Sequence, residues 1–233
     1  MKSHGKWIFV YCTVVCITLL ATAFGNRVVT VMSENRSVRN KHRIVIDPGH
    51  GGEDGGAVSI ANLPESGYNL EISLRLQDMF HLLGYQTRMV RTEDISIYTK
   101  GETLAQKKTS DLKERVRIVN ETEGALLLSI HQNHFPDPQY AGAQVFFAQT
   151  EGSEELAKQI QNCLIASVNP ESKRQVKKAE KVYVMTHIQC PGVLIECGFL
   201  SNPQEERMLR DPEYQKKLVS VIAAATGTFL SNT

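Results

Sequence analysis

Residues 44–57 read IVIDPGHGGEDGGA, an apolar run that breaks into Asp47, Pro48, Gly49 and His50. Two later apolar runs end in the same manner: LLLSI is followed by His131, and GVLI by Glu196. In open α/β sheets, ligands bind beyond the carboxyl ends of the strands. Three strands would thus deliver a His, a His and a Glu to one rim. Two imidazoles and one carboxylate with an open fourth position suit one catalytic zinc ion per chain. Such an ion polarises a carbonyl under attack and lowers the pKa of bound water toward ~7. A second carboxylate, off the metal, must then take the water's proton and pass it to a leaving amine. Glu196 is one acid. Glu65 is the other, placed where a helical pattern opens and the helix dipole favours a carboxylate. Spacing leaves open which of them binds metal and which moves the proton.

The glycine-rich turn could instead cradle a phosphate, but its residues argue against that. A P-loop needs a Lys after its glycines and none follows here. A dinucleotide loop needs GxGxxG, and Asp54 stands where the last Gly belongs. Asp47, Glu53 and Asp54 would also repel a phosphate. The glycines let the backbone turn sharply, so that the His50 imidazole can be aimed inward. His134, three residues after His131, reads as a transition-state donor or a loop residue, and no context singles out His187.

The elements that must position these groups alternate along the chain. Strand candidates are Arg43 to Asp47, TRMVRT (87–92), ALLLSI (125–130), AQVFFA (143–148) and GVLIE (192–196). Ile72, Leu76, Met79 or Phe80, and Leu83 recur at helical spacing and stop at Gly84. Leu112, Val116 and Val119 mark a second helix. A third follows Ser153, with Leu156, Ile160 and Leu164 on one face and Glu154 and Glu155 in its first turn. Asn202-Pro203 and Asp211-Pro212 read as two helix starts with Pro at the first helical position. Residues 93–110 are polar without clear periodicity and read as a long surface excursion. Strands alternating with helices imply one α/β domain whose largely parallel sheet is covered on both faces.

Composition narrows the function. The 233 residues are 42% hydrophobic and 22% charged, with a formal net charge of +1. No basic stripe is interleaved with aromatics, so nucleic-acid binding is not expected. Lys2 and Lys6 precede an uncharged apolar stretch at 7–24 that ends in Ala21-Thr22-Ala23. Residues 1–24 therefore read as a cleaved secretory signal or an N-terminal membrane anchor, with a buried core helix as the bland alternative. Either leading reading places the rest of the chain outside the cytoplasm. Residues 25–42 read as a polar linker, and 43–233 as the catalytic domain. Beyond the apolar segment remain Cys163, Cys190 and Cys197, an odd number without metal-ligand spacing. Cys197 reads as a buried, inert thiol.

The blocks IVIDPGHGGEDGGA, PESGYNLEISLRL, LLSIHQNH, GAQVFF and GVLIECGFLSNPQE, in this order, resemble the zinc-dependent N-acetylmuramoyl-L-alanine amidases of bacterial cell walls. The resemblance covers residues 43 to about 230. It implies a twisted sheet of about six strands, His50, Glu65 and His131 as zinc ligands, and Glu196 as the catalytic carboxylate. It implies peptidoglycan as substrate, cleaved between the lactyl group of N-acetylmuramic acid and L-alanine of the stem peptide. The short chain, the anchor-like N-terminus and the polar excursion into DLKERVRIVN look most like the germination-specific amidases of spore-formers, which trim stem peptides so that muramic lactam forms in the spore cortex. Ser66-Gly67 replaces a common Lys-Asp pair, and a loosely held Glu65 would lower zinc affinity and call for help in retaining metal. An accessory partner is left open on these residues. The basic cluster Lys173, Arg174, Lys177, Lys178 and Lys181 reads as a solvated loop, with contact to the acidic stem peptide as the functional alternative. A zinc peptidase cutting elsewhere in the stem peptide, and a non-catalytic wall-binding protein, are the competing readings.

Overall fold

The apolar run before His50 forms strand β1 (Arg43–Pro48), buried from Ile44 onward. It lies between β2 (Gln86–Met89) and β3 (Ala125–Asn133) and is parallel to both. On its far side β3 pairs in parallel with β6 (Gly192–Phe199). Strand β4 (Gln144–Phe147) adds to β6 in the antiparallel sense, and the two-residue β5 (Lys177–Lys178) forms the edge. The sheet order is β2-β1-β3-β6-β4-β5, so the three strands that carry His50, His131 and Glu196 are adjacent at its centre. These details come from a computed structural model that describes residues 42–232. The signal or anchor at 1–24, and the linker apart from its last residue, lie outside the described residues.

Both sheet faces are covered. Register places Val45, Leu127 and Leu194 on one face. There they join Val119 of α2 (Leu104–Asn120) and Val184 and Met185 of the short α4 (Tyr183–His187) in one buried cluster. The alternate residues Ile44, Ile46, Leu128, Ile130 and Ile195 are fully buried on the other face. That face is covered by α1 (Glu65–Leu82), α3 (Ser153–Ser167) and α6 (Pro212–Ser231), with α5 (Pro203–Arg210) against β6. No helix among the described residues is long and apolar enough to cross a membrane.

Local signals set most helix ends. Asn202 caps α5 by accepting from the N–H groups of Gln204 and Glu205, and Asp211 caps α6 by accepting from Glu213. Leu83 ends α1, and Gly84 follows with φ of 80°. Two helix starts differ from expectation. Helix α2 starts at Leu104, inside the segment that reads as a surface excursion, behind a capping box of Thr103 and Gln106. Its first turns bury little, and three of its four buried residues are Ser110, Asp111 and Arg115, so apolar periodicity is weak there. In α3 the N-cap is Gly152, with φ of 78°, and Ser153 is the first helical residue. The Ser153 Oγ accepts from the Gly192 N–H at 2.9 Å, which ties the helix start to β6.

Candidate metal centre

The β1–β3 ladder continues past β1, with Gly49 N–H donating to Ile130 O at 3.0 Å. Then the chain turns left-handed at His50, with φ of 60°. A non-glycine residue in that region costs of order 1–3 kcal/mol and persists only where its surroundings hold it. Here two guanidinium groups do so. Arg91 donates from Nε to Pro48 O at 2.9 Å and from Nη2 to Gly49 O at 3.0 Å. Arg115 donates to Pro48 O at 2.9 Å and to His50 O at 2.7 Å. Both side chains are buried, and Arg115 is charge-balanced by Asp47 and Asp111, each at 2.6 Å.

The loop so fixed brings His50 against Glu65, the first residue of α1. His50 Nε2 lies 3.3 Å from Glu65 Oε2, while Nδ1 lies 3.1 Å from Asp54 Oδ2. His131 Nδ1 lies 3.0 Å from Glu65 Oε1. The imidazoles meet edge to face, with centroids 5.1 Å apart. One candidate ligand atom from each of His50, Glu65 and His131 falls within 4.8 Å of the others.

Glu65 is firmly held, contrary to the looseness that Ser66-Gly67 suggested. Its Oε1 accepts from Asn69 Nδ2 and Gln132 N, each at 3.1 Å, and its Oε2 accepts from Ala57 N at 3.0 Å. The Ser66 backbone is itself anchored, N–H to Gly55 O at 3.0 Å and carbonyl to Arg91 at 2.9 Å. Two glycines make the close approach possible. A Cβ on Gly49 would lie 2.2 Å from the His131 ring, and one on Gly56 would lie 2.6 Å from Glu65 Oε2.

Glu196 is the register neighbour of His131 across the β3–β6 pair. Its Oε2 is buried without a hydrogen-bond partner among the described residues. Burial, with the nearby Glu65 carboxylate, pushes its pKa up to about 7 against the opposing pull of His131. Glu65 goes the other way. Burial disfavours its charge, but the hydrogen bond and charge of His131, then His50 and the Ala57 N–H, bring it down to about 2. Burial lowers the pKa of His50, and Glu65 and Asp54 only partly offset this. His131 is raised, because Glu65, Glu196 and Asp47 outweigh its burial. Two neighbouring carboxylates are thus driven apart, one held ionised and one poised to exchange a proton.

The donor set of two imidazoles and a carboxylate, beside a buried carboxylate oxygen that no described residue satisfies, fits a zinc ion. Asp54 on Nδ1 of His50 leaves Nε2 free for a metal, the usual outer support of a ligating histidine. Neither His134 nor His187 belongs to the cluster. His134 is exposed, and His187 stacks on Tyr183 with centroids 3.9 Å apart. Sequence reasoning missed Arg91, Arg115, Asn69 and Gln132. Arg115 left a trace: Asp111, Arg115 and Val119 recur every four residues, which puts two charges in a buried stripe. Cys197 is buried as expected, and burial raises its thiol pKa strongly.

A family model described as N-acetylmuramoyl-L-alanine amidase matches residues 44–227. The germination-specific N-acetylmuramoyl-L-alanine amidase of Bacillus subtilis is 38% identical over 181 residues, covering 77% of this chain and 76% of that protein. Among solved structures, the CwlD amidase from Clostridioides difficile, in complex with the GerS lipoprotein, matches with a TM-score of 0.79 at 35% identity. It covers 82% of this chain and 100% of that chain. An N-acetylmuramoyl-L-alanine amidase from Clostridium difficile 630 matches with a TM-score of 0.72 at 29% identity, over 82% of this chain and 97% of that one.

Proposed function

The chain belongs to the N-acetylmuramoyl-L-alanine amidase family and is an amidase of peptidoglycan, and on that premise we propose that it is zinc-dependent, with His50, Glu65 and His131 as ligands and Glu196 as the catalytic carboxylate. Zinc held there supplies Lewis acidity toward the scissile carbonyl and toward water. The protein groups do the rest. Asp54 fixes the ring of His50, and the N–H donors around Glu65 keep that carboxylate ionised and in place. Glu196 accepts the proton of the attacking water and returns it to the nitrogen of L-alanine as the amide C–N bond breaks. Burial raises the Glu196 carboxyl above the usual carboxylate range, which favours its accepting and then returning that proton.

The observation that carries this reading is the unpartnered Glu196 Oε2 beside the His50, Glu65 and His131 cluster. A wall-binding protein has no use for that desolvated carboxylate. The test uses purified chain and peptidoglycan, with and without a chelator, and mass spectrometry of the products. Wild type should release stem peptides with a free L-alanine amine and lose activity on chelation. Glu196→Gln should lose about 10²–10⁴-fold in rate while binding zinc at wild-type stoichiometry. Cleavage within the stem peptide, or an active Glu196→Gln, overturns the assignment.

The kinship to a germination-specific amidase supports a role in spore cortex maturation, where removal of stem peptides precedes muramic lactam formation. We extend the reading to location: residues 1–24 carry the domain across the membrane, leaving it secreted or anchored at the forespore envelope. That the C. difficile relative is solved with a lipoprotein supports an accessory partner here too.

A further inference from the structure

The structure separates Arg174 from the lysines around it. Lys173, Lys177, Lys178 and Lys181 are exposed, whereas Arg174 is half-buried and fixed on three sides. Its Nε donates to Ala141 O at 2.8 Å and its Nη1 to Gln144 Oε1 at 2.9 Å. The guanidinium lies over the Phe199 ring, 4.6 Å from the centroid. Among the described residues no carboxylate pairs with it. Glu205, the acid that senses its charge, has its two oxygens on the N–H groups of Gly142 and Phe199, each at 2.8 Å. Nη2 has no partner among the described residues.

Its place gives this cation a meaning. Gln144, which holds it, is the cross-strand partner of Glu196. Arg174 leads into β5, the next strand outward, at the same end of the sheet. Phe199, over which the guanidinium lies, is three residues beyond Glu196 on β6, and at about 3.3 Å per strand residue this puts the guanidinium on the order of 10 Å from Glu196. An extended peptide advances about 3.3–3.6 Å per residue, so that distance, less the length of one hydrogen bond, is about two residues. A preorganised, unpaired guanidinium is a receptor for a carboxylate.

We propose that Arg174 is a specificity-determining residue that binds the carboxylate of the acidic residue following L-alanine in the stem peptide. The inference rests on the amidase reading above. It assigns the substrate's polarity: the glycan lies away from β4 and β5, and the stem peptide runs outward over them.

The test uses the full chain and two synthetic muropeptides that differ only in whether that carboxylate is free or amidated. Wild type should prefer the free acid in kcat/KM by about ten- to a hundredfold, the worth of a charged hydrogen bond, mainly through KM. Arg174→Gln should bring the ratio of the two substrates close to one, and Arg174→Lys should restore part of it. A wild-type enzyme that does not distinguish them overturns the proposal. So does an Arg174→Gln variant that loses activity on both with the ratio intact, because that is a structural role. Cleavage of neither muropeptide by wild type overturns the amidase reading itself, and the carboxylate site with it.

Discussion

Substituting Gly49 tests whether the glycines of the His50 turn exist to admit the opposing histidine. The Cβ of Gly49→Ala would lie 2.2 Å from both Cε1 and Nε2 of His131. Carbon atoms pack at about 3.5–4.0 Å, so one of the two must move by more than about 1 Å. The Gly49 backbone is pinned, its N–H on Ile130 and its carbonyl on Arg91 and Asn69. The displacement therefore falls on the imidazole. Overpacking of this kind costs about 1–3 kcal/mol, or about 3–10 °C in Tm for a domain of this size. A misplacement of ~1 Å at a catalytic centre costs about a hundredfold in rate. Gly67→Ala is the control. Nothing lies within 4 Å of its added Cβ, and Ala in α1 should stabilise by about 0.5–1 kcal/mol. The assay is zinc content by metal analysis, turnover of a defined muropeptide and thermal unfolding, measured on both variants and wild type. Wild-type zinc content and turnover in Gly49→Ala would refute the argument, since His131 would then tolerate a methyl group in its space.

Two further outcomes concern the scaffold beneath the site. Arg115→Met leaves Asp47 and Asp111 without their cation and takes a donor from the His50 carbonyl and one of two from the Pro48 carbonyl, so it should cost about 3–5 kcal/mol in denaturant unfolding; a loss under about 1 kcal/mol counts against a structural role. Asp47 is held below its ordinary value of 3.8, because Arg115, His131 and Ser129 together outweigh the burial that would raise it. Its contribution is thus complete above that pH and is lost as pH falls through the lower folded value. The Tm gap between wild type and Asp47→Asn should be constant from pH 7 to about 5 and narrow progressively below about 4; a gap that does not narrow below that pH contradicts the assignment.

Much of the molecule is legible along the chain because its signals are local. Apolar runs of four to six residues mark β1, β3 and β6, and Asn202-Pro203 and Asp211-Pro212 mark two helix starts that the side chains then cap. His50, His131 and Glu196 are conspicuous because each ends such a run, and Glu65 because it opens a helix. What spacing could not divide was the labour between the two glutamates. That depends on surroundings: Glu65 collects donors from three separate segments, while Glu196 is desolvated with an oxygen unpaired.

Other features exist only once distant segments meet. The start of α2 escapes the apolar pattern because the stripe it buries is polar, and that stripe is buried because Asp47 and the His50 carbonyl wait beneath it. Arg91 reads as one more charge near a strand end until the carbonyls of Pro48 and Gly49 at the end of β1, and of Ser66 in the first turn of α1, converge on it. Arg174 is one of five basic residues in its stretch, and only the packing of β4 and β6 singles it out. Sequence by itself determined most of the elements, the residue types at their ends and the family, since these follow from short-range periodicity or from blocks of consecutive residues. The tertiary structure alone decided which carboxylate is satisfied and which is left bare, because hydrogen bonding and desolvation are set by neighbours far apart in the chain.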